Sequence, residues 1–169
     1  AETAAVARVV ETVENRLAAL PDVVRAAAAS SLPLEPAVTL PFAIDRRPLL
    51  RSPFHGTANW RRVSPGYFDV FRIRLVAGRM FTRHDTEGGR PIALINESMA
   101  KKFWPDSTPL DERLTVAPSI RQDVKEPSRA IVGIVADVRE TGLRRDVEPI
   151  IYVPIAQVTD GMNAFQNQT

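Results

Sequence analysis

The sequence predicts an α+β domain built on a mixed or antiparallel sheet with few helices. Three observations lead there. An amphipathic helix opens the chain, short β-branched runs follow at unequal spacing, and strands and helices never alternate as regularly as a doubly wound sheet requires.

The 169 residues suit one domain or two small subdomains sharing a core. An apolar fraction of 44% with 25% charged residues is that of a folded globular chain rather than a disordered one. The net charge is only +2, and the basic pairs Arg46-Arg47, Arg61-Arg62 and Arg144-Arg145 are scattered. That balance does not steer a protein toward nucleic acid. With no cysteine, disulfides and thiolate zinc sites are excluded. Val23–Ala29 and Ile131–Val138, the longest apolar runs, fall far short of the ~20 residues that span a bilayer. The chain opens on Ala1 without an initiator Met or a recognisable signal peptide, and reads as a piece of a longer protein.

Val6, Val9, Val10, Val13, Leu17 and Leu20 fall at helical spacing, with Thr3 as N-cap and Pro21 as the stop. Val23–Leu32 reads as a strand packed back on this helix, although its alanine run favours helix by propensity. From Leu32 to Asn59 the prolines, Pro41 among them, limit the chain to short edge strands at Val38–Leu40 and Phe42–Asp45. Thr57–Val63 is a further edge strand, its Trp60-Arg61-Arg62 forming a snorkelling basic face.

Ser64-Pro65 opens a short helix anchored by Tyr67, Phe68 and Phe71. Ile73–Val76 runs extended, and Arg83–Arg90 is a surface loop. Pro91–Ile95 is a buried strand, and Asn96 caps a helix Glu97–Trp104. Leu110–Val116, Ala130–Val138 and Ile150–Val153 complete the strands, with a hairpin tip at Ala117–Arg129 and a polar connection at Arg139–Pro149. Beyond Gln157 the chain turns polar and is expected to be disordered. The predicted core holds Tyr67, Phe68, Phe71, Ile95, Phe103, Trp104, Ile134 and Tyr152.

Chemical motifs are sparse. Neither G-x-x-x-x-G-K-[ST] nor G-x-G-x-x-G occurs, so the chain should not bind ATP itself. There is no G-x-S-x-G elbow, and the two histidines, His55 and His84, sit in no motif. His84-Asp85 with Glu87 offers ligand types for a metal, yet two or three groups in one polar loop read more simply as a solvated surface. Trp104 belongs to an apolar helix face rather than to a base-stacking platform. Asn96-Glu97-Ser98 and Asn167-Gln168-Thr169 match the glycosylation acceptor pattern, but helix capping explains Asn96 better. No catalytic, cofactor-binding or metal residue is assigned, and no cofactor is expected.

The order of longer motifs is more specific. Val63-Ser64-Pro65-Gly66-Tyr67-Phe68 precedes Gly78-Arg79-Met80-Phe81. Then come Ile92–Ala100, Lys102-Phe103-Trp104-Pro105, Arg113-Leu114, Ile131–Arg139 and Ile151-Tyr152-Val153-Pro154. From about Val6 to Gln157 this series resembles the MacB-like periplasmic core domain of ABC-transporter permeases of the MacB/FtsX-like kind, especially the duplicated permeases of Acidobacteria.

The resemblance implies a two-lobed body: residues 1–32 as part of a membrane-proximal β-α-β lobe, 33–157 as an outer mixed lobe, and 158–169 as a flexible tail. It also implies a non-enzymatic domain on the periplasmic side of the inner membrane. Such a domain transmits conformational change driven by a cytoplasmic ATP-binding subunit to a periplasmic adaptor or substrate, within a homodimeric permease and without nucleic acid. Where the family carries Ile-Gly, this chain has Leu110-Asp111, and Asp tolerates a positive φ better than most residues. The competing readings are a free-standing extracytoplasmic binding or scaffold module and a hydrolase built around His55 or His84.

Overall fold

The computed structural model describes residues 2–35, 37–118, 126–138 and 147–166. Helix α1 (Glu2–Ala18) is followed by strands β1 (Val38–Ile44) and β2 (Gly56–Val63), then the short helix α2 (Tyr67–Val70). Next come β3 (Leu75–Gly78), β4 (Ile92–Asn96), α3 (Glu97–Phe103), β5 (Arg113–Val116), β6 (Arg129–Val135) and β7 (Ile150–Pro154). A single 3-10 turn (Ile155–Gln157) leads into α4 (Asp160–Gln166). This is the α+β architecture with a mixed sheet that the sequence predicts.

The seven strands form one sheet in the order β3-β6-β4-β7-β2-β1-β5, and a further β5–β6 pairing joins its ends. Six strands therefore close a ring, with β3 added outside it on β6. Side chains alternate across the strands with period two. Phe42, Trp60, Ala93, Ile95, Leu114, Ile131, Ile151 and Val153 gather in one buried cluster drawn from every strand of the ring, which places it inside. The opposite face contributes Val63, Ile92, Leu94, Val135, Ile150 and Tyr152 to a second cluster beneath Tyr67 and Phe68 of α2. Tyr152, Phe68 and Tyr67 meet there edge-on or tilted, with ring centroids 5.2 to 6.0 Å apart.

Helices close the two ends of the ring. β4 and β7 are antiparallel, so α3, which leaves β4, and α4, which follows β7, lie at opposite ends. Met99 and Trp104 fill one end, Val158 and Met162 the other. Asn96 ties this arrangement together. Its side-chain oxygen accepts from Met99 N (3.2 Å) and Ile150 N (2.9 Å). Its amide donates to Asp137 Oδ1 (2.8 Å) and to Glu148 O (3.0 Å). Two acceptor sites and two donors are all used, so this fully buried amide is satisfied.

Several sequence expectations change. α1 begins at Glu2, so Thr3 lies within the helix rather than at its N-cap. Asp160 Oδ1 instead accepts from Thr3 N and Thr3 Oγ1, at 2.8 and 2.7 Å. A carboxylate distant in sequence thus serves a first-turn N–H. The apolar stripe of α1 faces solvent: Val6, Val9, Val13, Leu17 and Leu20 are all exposed, while Thr3, Ala7, Val10 and Glu14 turn inward.

Val23–Leu32 is not a strand. Its only ladder contact is a bridge from Ala29 to Val63, flanked by Ser30 N–Arg62 O and Ser64 N–Ala28 O. The edges of β2 are already taken by β1 and β7, which leaves only the end of β2 beyond β1. For the same reason β2 is no edge strand, and Arg61 is fully buried, donating to Tyr67 Oη (2.8 Å) and Leu32 O (3.2 Å).

β1 runs unbroken through Pro41 and sits inside the ring. Pro41 O accepts from Ala117 N (2.7 Å), so the side of Pro41 that lacks an N–H faces Ala117, just past β5, where the chain turns at φ +54 and at most the last bond of the ladder is forgone. The Ser64 hydroxyl accepts from Ala28 N rather than capping α2, whose N-cap is Gly66. Phe71 is 38% exposed, and Phe103 is only partly buried. Val158–Gln166, expected to begin a flexible tail, holds two buried apolar residues and a helix. β5 starts at Arg113, after Asp111 with φ +66, and β6 ends at Val135. Most of the hairpin tip at 117–129 and of the connection at 139–149 lies outside the described residues.

Asn96→Ala should leave buried backbone N–H and C=O groups without partners, at ~1–3 kcal/mol for each unsatisfied group. Urea unfolding should therefore show a loss of at least ~3 kcal/mol; a loss below ~1 kcal/mol would mean the amide is not the tie described.

Candidate functional site

Polar groups are concentrated in three places. The first surrounds the start of α3. Beyond its bond to Asn96, Asp137 accepts from Ser98 N (2.9 Å) on Oδ1 and from Ser98 Oγ (2.6 Å) on Oδ2. Strand β6 stops at Val135 so that Asp137 can reach the N-terminus of α3, where a carboxylate is favourable. The side-chain polar atoms of Asn96, Ser98 and Asp137 all meet other protein groups, so the cluster clasps β4, α3 and the chain after β6 together.

The second is an ion pair at the opposite end of the ring. Arg129 and Glu126 have side chains 0% exposed and lie 2.6 Å apart. Arg129 also donates to Gln157 O (2.7 Å), and its guanidinium lies 5.7 Å from the Trp60 ring centroid. Burial pulls this guanidinium below its usual pKa, and Glu126 partly offsets the shift. Glu126 Oε1 in turn accepts from Thr159 N and Thr159 Oγ1, at 3.2 and 2.6 Å. The Gln157 side chain reaches Thr86 O, Arg90 O and Ile92 N. The pair thus fastens the 3-10 turn and α4 onto the ring.

The third is a cleft of about 410 Å3 whose lining includes Arg79, His84, Asp85, Arg90, Asp111 and Gln157. Its charges are already matched. Arg79 donates twice to Asp85, at 2.9 and 2.8 Å, and Thr82 N caps the same carboxylate at 2.7 Å. Arg90 lies 4.0 Å from Asp111. Burial pushes the Asp85 carboxyl up, but the hydrogen bonds from Arg79 and Thr82 outweigh it and hold Asp85 below its usual pKa.

His84 and Glu87 are exposed in this loop, and Asp85 is committed to Arg79. No group of three metal-binding side chains converges among the described residues. His55 is elsewhere, at the foot of the β1–β2 loop. Its Nδ1 accepts from Ile44 N (3.0 Å), which places the ring proton on Nε2. Trp60 and Trp104 are core residues, and Asn96 is too buried to accept a glycan; Asn167 lies outside the described residues. Sequence reading missed the Glu126–Arg129 pair, because nothing local marks an Arg at the start of an apolar strand as buried. No helix among the described residues is long and apolar enough to cross a membrane.

Glu126→Ala should strand the Arg129 charge and destabilise the chain by ~3–5 kcal/mol in chemical unfolding, whereas replacing both residues by apolar ones of similar volume should recover most of that. The pH dependence of Asp85 follows from its depressed folded pKa: its stabilisation is present above the unfolded value of ~3.9 and is lost as pH falls through the folded value. Asp85→Asn should therefore lower stability at neutral pH and flatten its decline in acid; an unchanged acid limb would contradict this.

Known proteins bear out the resemblance. Residues 3–169 match the family described as the MacB-like periplasmic core domain. The macrolide export ATP-binding/permease protein MacB of Mannheimia succiniciproducens is 32% identical over 81 residues, covering 48% of this chain and 11% of that protein. Among solved structures, the periplasmic region of MacB from Actinobacillus actinomycetemcomitans superposes with a TM-score of 0.58 at 16% identity, over 86% of this chain and 55% of that one. A domain of a putative permease protein from Porphyromonas gingivalis gives 0.54 at 20% identity, over 85% and 56%. The extracellular domain of the noncanonic ABC-type transporter YknZ from Gram-positive bacteria gives 0.50 at 17%, over 92% and 64%. The chain thus spans 55 to 64% of the length of these solved domains and 11% of the curated relative. With the family matched across nearly the whole chain, this protein belongs to the MacB-like periplasmic core domain family of ABC-transporter permeases.

Proposed function

We propose that this domain acts mechanically: it carries conformational change, driven by a cytoplasmic ATPase, to a substrate or partner outside the membrane, and it performs no chemistry of its own. The observation that carries this reading is the way α1 is mounted. Its N-terminal end is pinned to the body through Thr3, Asp160, Asn163 and Arg62. Its apolar stripe, Val6 to Leu20, faces outward. A lever fixed to a closed ring, with an apolar face free to pack on the rest of a transporter, suits transmission of displacement. The cleft beside Arg79 supports the same reading, because its arginines are paired with Asp85 and Asp111 rather than aimed at one point. Within a homodimeric permease, residues 2–32 would form the membrane-proximal part and the ring the outer part. ATP would be hydrolysed on another domain or subunit.

The test is an ATPase and transport assay on the full transporter reconstituted in vesicles. Val9→Ser with Val13→Ser on the exposed stripe should leave folding intact but separate ATP hydrolysis from transport, lowering transport at least tenfold per ATP. Glu87→Ala should change neither. If Glu87→Ala or His84→Ala abolished activity in a folded, assembled transporter, a chemical site would exist here and the mechanical reading would fall.

A further inference from the structure

The loop between β1 and β2 combines a locked base with an uncovered tip. At the base, His55 N donates to Phe42 O (2.9 Å) and Ile44 N to His55 Nδ1 (3.0 Å). Arg47 donates to Phe103 O (2.7 Å) and lies over the Trp104 ring, 5.2 Å from its centroid. Asp45 is held by Thr115, Ser128 and Arg113. The turn passes through Arg46 at φ +61, a left-handed backbone that an L-residue adopts at a cost and that a tight surrounding structure maintains.

The tip has the opposite character. Leu50 is 91% exposed and Leu49 48%. Arg46 and Arg51 meet no carboxylate or hydrogen-bond acceptor among the described residues, and residues 46–55 contain three arginines and no acid. The open cleft at the foot of the loop, about 880 Å3, sets Arg46, Arg47 and Arg113 against Asp45, Asp111 and Glu112, so its charges balance and Arg51 adds positive charge at the tip. Neighbouring leucines held clear of the body between unpaired arginines are what a docking surface offers: apolar area to bury and charges to orient the partner.

We propose that the β1–β2 loop is a docking element for an extracytoplasmic partner protein, which it grips through an acidic segment bearing apolar side chains. A protein is favoured over an anionic lipid surface by position. β2 runs parallel to β7, so the loop lies at the α3 end of the ring, opposite α4 and the pinned end of α1. This step rests on the reading above, in which α1 faces the membrane-side parts of the transporter. The fixed base lowers the ordering cost of binding, because only the partner must be organised.

The test uses the 169-residue chain itself. A displayed library of short random peptides is selected on it, and the enriched peptides are titrated by fluorescence anisotropy. They should combine Asp or Glu with Leu, Ile or Phe. Affinity should fall about tenfold or more with Leu49→Ser/Leu50→Ser and, separately, with Arg46→Ser/Arg51→Ser. Raising NaCl from about 0.05 to about 0.5 M should weaken binding to wild type and leave the arginine variant much less affected. Thermal unfolding of both variants should match wild type, since the replaced side chains are exposed. Enrichment of basic peptides, equal binding to the variants, or no enrichment would overturn the proposal. So would Leu49- and Leu50-dependent binding to vesicles of phosphatidylglycerol and phosphatidylcholine in equal parts, which would assign the tip to a membrane. A negative result here with intact coupling in the reconstituted transporter would remove the docking element and leave the mechanical reading standing.

Discussion

One buried amide sets the geometry on which the rest of this domain depends. The Asn96 side chain terminates β4, starts α3, holds the backbone before β7 and grips the carboxylate that follows β6. Inside a protein such a group must find every partner or cost more than it contributes. With all four positions filled, only one spacing of β4, β6 and β7 satisfies it. These three strands contribute to both hydrophobic clusters, so the amide fixes where α2 lies on the outside and where Trp104 lies within.

The close crossing of β3 over β6 depends on the same register. Gly78 has φ +77, and a side chain there would meet Val132 O at 2.2 Å; at Gly133 a side chain would meet Arg79 O at 2.4 Å. Backbone thus lies directly on backbone where the extra strand joins the ring. The loop that leaves this crossing is closed by Arg79 and Asp85 and tied down by Gln157, which leads back to the Arg129–Glu126 pair. Polar ties at both ends and a packed interior make the ring one stiff unit.

Much of this was legible in the sequence where the determining contacts are local. The continuous apolar runs Ile92–Ile95 and Ile150–Val153 announce strands buried on both faces, and Asn96 before Glu97 announces a capped helix. Asp111, which stands where the resemblance places a glycine, takes the positive φ that Asp tolerates better than most residues. Where the deciding partner is remote, the sequence is silent. Pro41 is tolerated in β1 because the side that lacks an N–H meets Ala117, where the chain turns away at φ +54, and nothing near Pro41 encodes that. Val23–Leu32 has strand-like residues but finds no free edge. Arg61 and Arg129 look like surface residues because part of what holds them, Leu32 O and Gln157 O, is backbone distant in sequence. That His55 and His84 lie in separate loops was legible, whereas the exposed side of α1 was not, since periodicity identifies an apolar face without saying what meets it.

The bond between Thr3 and Asp160 has a consequence for the order of assembly. It joins positions 157 residues apart, so α1 finds its capping group only when α4 has been made. Until then its first-turn N–H groups and its apolar stripe are both open to solvent, and an isolated helix of this length is marginal in water. Closing such a long loop comes late and slowly, after the strands have found one another. Helix α1 is thus made before the strands it packs on and is among the last elements of the domain to settle, and until then its exposed valines need shielding by a chaperone or a neighbouring segment.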